Sequence, residues 1–94
     1  MRYLFLLNPT AGKRDCTAEL APAIQAAAQR AGIPPEKRKV VVTQYAGHAR
    51  ELAVEAAHTA QADGEPVRIW TAGGDGTFME AMTGVQGFAN AAVG

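Results

Sequence analysis

The chain has little with which to grip a partner by charge or by covalent bond. A single cysteine, Cys16, stands among its 94 residues, so no disulfide can close within it, and such usage suits a reducing compartment. Cys16 itself reads as a small buried or half-buried residue rather than a reactive thiol. Nine acidic residues balance nine basic ones, for a formal net charge of zero. That balance leaves no electrostatic footprint for nucleic acid or for an anionic membrane surface. No stretch approaches the roughly 20 apolar residues of a membrane span. The opening run Met1 to Leu7 is apolar, but it stops at Asn8-Pro9, too early for a signal sequence with its cleavage site. It reads as a strand, and the chain as cytoplasmic. No repeat, low-complexity tract or linker divides the sequence. A chain of this length makes one small domain that buries about 60 to 65% of its unfolded surface.

What is present is an alternation. Tyr3 to Leu7 is a continuous apolar run ending at Asn8-Pro9, the pattern of a strand covered on both faces. From Thr17 to Ala31 the apolar residues Leu20, Ile24, Ala27, Ala28 and Ala31 form one helical stripe, which Gly32 and then Pro34-Pro35 terminate. Val40 to Val42 reads as a second strand, ending at Thr43. After Gly47 comes a second helix carrying Leu52, Ala53, Ala56, Ala57 and Ala60, closed by Asp63-Gly64. Val67 to Thr71 is a third strand, with Trp70 expected in the core, and Thr77 to about Val85 a third helix. Strands and helices alternating in this way predict an α/β fold, a three-layer open parallel sheet with right-handed crossovers. Ligands of such sheets bind beyond the carboxyl ends of the strands. The segments Asn8 to Gly12, Thr43 to Gly47 and Gly73 to Thr77 each follow a strand and so are expected on one edge. Phe88 to Gly94 reads as the approach to a fourth strand, from which the 94 residues are expected to be the front part of a longer protein.

The richest segment is Thr71-Ala-Gly-Gly-Asp-Gly-Thr-Phe-Met-Glu80. Gly73, Gly74 and Gly76 permit unusual backbone angles and let a ligand approach the main chain. The helix that follows offers unpaired N–H groups and a positive dipole end to an anion. Asp75 is unusual in a phosphate cradle, because a carboxylate repels phosphate unless a cation lies between them. That points to magnesium-bound nucleotide. A second reading stays open: Thr77 and Glu80 have capping-box spacing, and the glycines then serve only the turn. The segment fits neither standard glycine fingerprint. The dinucleotide pattern requires a glycine at Met79, and Gly12-Lys13 is followed by Arg14 where the Walker A pattern has Ser or Thr.

Taken together, Asn8-Pro9-Thr10-Ala11-Gly12-Lys13, then Thr43 with Gly47-His48-Ala49, then Gly73-Gly74-Asp75-Gly76-Thr77 with Glu80 resemble the catalytic domain of the diacylglycerol kinase family. That family includes bacterial lipid kinases, sphingosine kinases and ceramide kinases. The resemblance spans nearly the whole chain, with three motifs in order. It implies magnesium-dependent transfer of the ATP γ-phosphoryl group to a lipid hydroxyl, of diacylglycerol or sphingoid-base type, with ATP and Mg2+ as cofactors. It implies that residues 1–94 are an N-terminal ATP-binding domain similar to those of phosphofructokinase and NAD kinase-like folds. Asn8, Pro9, Thr10, Ala11 and Gly12 would line the nucleotide, with Thr43 touching it from the second strand. Gly74, Asp75, Gly76, Thr77, Phe78, Met79 and Glu80 would form the phosphate loop, and Asp75 would be the catalytic and metal-binding residue.

The same resemblance implies a second, β-rich domain that binds most of the lipid acceptor. Residues 1–94 alone are therefore expected to be inactive, and the protein to be peripheral to the membrane when it works on lipid, with no transmembrane segment in these 94 residues. Neither the acceptor nor the oligomeric state follows from it. Met79 departs from the pattern, since many members carry Asn there, and the family's Pro-x-Gly-Thr-x-Asn-Asp segment does not occur within the 94 residues. Two alternatives are a NAD kinase-like enzyme, which shares the Gly-Gly-Asp-Gly-Thr loop but not Asn8 to Gly12, and a non-catalytic nucleotide-sensing module. Lys13 and Arg14 read as solvated surface, His48 as a structural residue of an early helix turn, and His58 as surface.

Overall fold

The computed structural model describes residues 1–8, 17–72 and 75–94. Its elements, in chain order, are β1 (Arg2–Leu7), α1 (Thr17–Arg30), a short 3-10 turn (Pro35–Lys37), β2 (Arg38–Val42), α2 (His48–Ala62), β3 (Val67–Ala72), α3 (Asp75–Gly84) and β4 (Ala91–Val93). The four strands are parallel and stand in the order β2-β1-β3-β4. The chain therefore steps one way from β1 to β2, and the other way from β2 past β1 to β3. With right-handed crossovers, that reversal puts α1 on one face of the sheet and α2 and α3 on the other. The expected three layers are present, and so is the fourth strand.

The face under α2 and α3 holds the core. Leu4, Leu6, Val67 and Ile69 alternate out of β1 and β3 toward this side, where they meet Ala49, Ala53, Ala57 and Ala60 of α2 and Ala81 of α3. Alanines three and four apart make a flat helix surface that lies close to the sheet. The two helices also pack tightly against each other. A Cβ built at Gly84 of α3 would stand 2.7 Å from the Arg50 carbonyl oxygen and 3.0 Å from the Ala53 Cβ.

The opposite face corrects two expectations. Trp70 is 41% exposed rather than buried, because α1 rests on β2 and the outward positions of β3 lie beyond it. There the Arg68 guanidinium sits 5.2 Å from the Trp70 ring centroid. Along the helical stripe Ile24 and Ala28 are covered, while Ala27 of α1 and Ala31 just past its end are exposed. One strand gives that helix a narrow strip to bury.

At the amino end of the sheet the charges satisfy one another. Glu65, just before β3, accepts from Arg2 Nε at 2.8 Å and from the Lys37 ammonium, and Arg2 also pairs with Asp63. The Lys37 and Arg2 hydrogen bonds hold the Glu65 carboxyl below its usual range. Asn90 ties the same end together, donating through Nδ2 to the carbonyls of Ala57 and Glu65.

Candidate functional site

At the carboxyl end the three strand termini are laced together before any ligand is considered. The Asn8 N–H donates to the Ala72 carbonyl at 2.9 Å, and the Thr43 N–H to the Leu7 carbonyl at 2.8 Å. Thr43 Oγ1 donates to that same carbonyl at 3.3 Å. Asn8 Nδ2 reaches Thr77 Oγ1 in α3 at 3.2 Å. Residues after β1, β2 and β3 thus meet on one edge, at the place where the strand order reverses. In open parallel sheets this is where ligands bind.

A cleft of about 560 Å³ opens there, lined by Asn8, Val42, Thr43, Gln44, Tyr45, Ala46, Thr77 and Glu80. Thr43 and Thr77 are buried, at 7% and 3% exposure. They are fixed walls rather than mobile arms. Four of the residues expected at the site, Asn8, Thr43, Thr77 and Glu80, are therefore brought together. Asp75, Gly76, Phe78 and Met79 do not line the cleft, and Phe78 and Met79 are exposed on α3. Pro9, Thr10, Ala11, Gly12 and Gly74 lie outside the described residues, as do Lys13, Arg14 and Cys16.

The start of α3 is also corrected. The helix begins at Asp75, two residues before Thr77, so Thr77 lies inside the first turn and its hydroxyl meets Asn8. The capping-box reading therefore does not describe this helix. Asp75 occupies the first turn, where a carboxylate is favoured by the helix dipole, and it is exposed. Among the described residues no group of three or more His, Cys, Asp or Glu converges as a metal cage. A single exposed carboxylate at a helix start suits magnesium, which takes one or two carboxylates and completes its shell with phosphate and water.

Tyr45 and Gln44 were not anticipated from the sequence. Tyr45 stacks on His48, with ring centroids 4.4 Å apart and planes inclined by 15°. Its hydroxyl donates to Glu51, a bond that raises the tyrosine pKa above its ordinary value. His48 Nδ1 accepts from the Gln44 N–H at 3.0 Å, closing the loop on itself. His48 is thus structural, as expected, while His58 is exposed. The Tyr45–x–x–His48 spacing across the Gly47 turn was the available signal.

A second groove, of about 370 Å³, lies at the other end of the sheet, and Arg2, Lys37 and Lys39 are among its walls. Arg2 and Lys37 are already bound to acidic partners there.

The sequence model of the diacylglycerol kinase catalytic domain matches residues 2–94. The chain belongs to that family. No curated protein sequence matches it. The parallel α/β sheet agrees with this kinase-type catalytic domain, a class that uses ATP and typically a divalent metal. No helix among the described residues is long and apolar enough to cross a membrane.

Proposed function

We propose that this region is the ATP-binding part of a lipid kinase, and that the cleft at the carboxyl edge holds magnesium-bound nucleotide. The observation that carries this is the meeting of Asn8, Thr43, Thr77 and Glu80 on one cleft, with Asp75 opening the helix beside them. Family membership gives the arrangement its chemical class.

Phosphoryl transfer asks a protein mainly for positioning and charge neutralisation. The buried Thr77 and the Asn8 side chain bonded to it fix the relation of the β1 loop to α3. The start of α3 presents backbone N–H groups and dipole charge to phosphate oxygens. Asp75, with the glycine segment 73–76, is the residue that would hold magnesium, which when bound neutralises charge between the phosphates and the carboxylate. Pro9 to Gly12 and Gly74 complete the nucleotide contacts in this proposal.

The acceptor is a lipid hydroxyl, of diacylglycerol or sphingoid-base type, bound mainly by a β-rich domain outside these 94 residues. Residues 1–94 alone bind nucleotide without turning it over, and the complete enzyme works at the membrane periphery. Equilibrium dialysis of the chain against ATP, with and without magnesium, tests the nucleotide half of the proposal. Saturable binding strengthened by magnesium supports it, and binding indifferent to magnesium removes the role given to Asp75. Transfer of labelled phosphate to lipid, measured on these residues joined to the β-rich domain, tests the other half.

A further inference from the structure

We infer that Tyr45 is the platform on which the nucleotide base stacks, which makes the loop after β2 the element that distinguishes a nucleotide from bare polyphosphate. This rests on the nucleotide reading of the cleft and assigns that cleft a base end.

Tyr45 is 55% exposed although it lines the cleft. One face of its ring is occupied by the His48 imidazole at 4.4 Å in a near-parallel stack. The ring is pinned at its far end by the hydroxyl bond to Glu51, and its supporting imidazole is pinned by the Gln44 N–H. An exposed aromatic ring on a loop is ordinarily free to turn. This one is held at its hydroxyl and on one face, and it remains more than half exposed where it lines the cleft.

Position in the sheet selects the base over the phosphates. The phosphate-directed features, Asp75 and the start of α3, follow β3, whereas Tyr45 follows β2, and β1 lies between them. Two strand spacings separate these ends by about 10 Å. That separation is of the order of the ribose and phosphate chain between a base and its terminal phosphates. A base at the β2 end would form the third layer over Tyr45 and His48. Stacking of a base on an aromatic side chain needs no particular hydrogen-bond pattern, so the platform accepts purine nucleotides generally.

The test compares MgATP with magnesium tripolyphosphate, which has the phosphates and no base, by calorimetry on the 94-residue chain and its variants. Tyr45→Ala is expected to weaken MgATP about tenfold, within the range that base stacking supplies, and to leave tripolyphosphate within about twofold. Tyr45→Phe, which keeps the ring, is expected to retain most of the MgATP affinity. Upfield movement of the Tyr45 ring protons on adding MgATP, and not on adding tripolyphosphate, is the accompanying signature. Unchanged MgATP affinity in Tyr45→Ala overturns the inference, and so does an equal loss for both ligands, which would mean only that the loop had collapsed. Equal wild-type affinity for the two ligands removes the base contact but leaves the phosphate site standing. Binding of neither ligand overturns the nucleotide reading together with this one.

Discussion

The two ends of the sheet use polar residues in opposite ways. At the amino end, Glu65 gathers the Lys37 ammonium, the Arg2 guanidinium and, at 4.0 Å, the terminal amine of Met1. Charges there are spent on each other, and the result is an anchor for β1, β3 and the turn before β2. At the carboxyl end the strand termini are joined by backbone bonds, by the Thr43 hydroxyl to a carbonyl and by Asn8 to Thr77, with no ion pair among these bonds. Glu80 lines an open cleft half-exposed, and Asp75, at the start of the same helix, stays exposed. Mutually neutralised charge is a structural device, whereas fixed small polar groups around an opening are a binding device. The contrast teaches more than the size of either groove.

The sharpest way to break the comparison is Asp75→Asn. At the carboxyl end it is expected to lower magnesium-dependent ATP affinity at least about tenfold while leaving the thermal midpoint nearly unchanged, as dialysis and calorimetry together would show. A large loss of stability would instead make Asp75 an anchor of the kind found at the other end.

Next in size is Gly84→Ala, which challenges the wall that both ends share. The new methyl meets the Arg50 carbonyl oxygen at 2.7 Å, so the α2–α3 contact must open. Overpacking of this kind costs about 1–3 kcal/mol, read as a lower urea midpoint. Thr77→Val should cost about 1 kcal/mol, the scale of one lost hydrogen bond, here the one to Asn8. Unlike Gly84→Ala, it should also weaken ATP binding, because it loosens the β1 loop beside the cleft.

The smallest effect is expected from Glu65→Gln, and it is read as a slope. The Glu65 carboxyl is held below its ordinary pKa by Lys37 and Arg2. Its contribution is therefore complete above the unfolded-state value and is lost as pH falls through the lowered folded-state value. Stability of the wild-type chain should decline across that acidic window, and Glu65→Gln should flatten the decline without altering ATP affinity. A changed affinity would show that the two ends are not separate.

Much of the fold was legible because it depends on local pattern. Valine and leucine runs marked the strands, and alanines at three- and four-residue spacing marked the buried side of α2. What was misread depends on distance in the chain. Hydropathy places Trp70 in a strand, but whether its face is covered is decided by α1 lying over β2. β2 begins at Arg38 rather than Val40, because main-chain pairing with Tyr3 does not depend on side-chain polarity. The Glu65 cluster joins residues 28 and 63 positions away, which no window contains. Asn8, Thr43 and Thr77 were expected on this edge from their places after strands, and Glu80 from the resemblance to the family. Tyr45 escaped because an aromatic residue in a loop acquires meaning only from the His48 ring beneath it.

The most direct measurement is a titration of the 94-residue chain with ATP, with and without magnesium, followed through backbone amide NMR shifts. The account predicts shifts at Asn8, Thr43 to Tyr45 and Asp75 to Glu80, strengthened by magnesium, with Arg2, Lys37 and Glu65 silent. Shifts centred on the Glu65 end, or none at millimolar ATP, would contradict it.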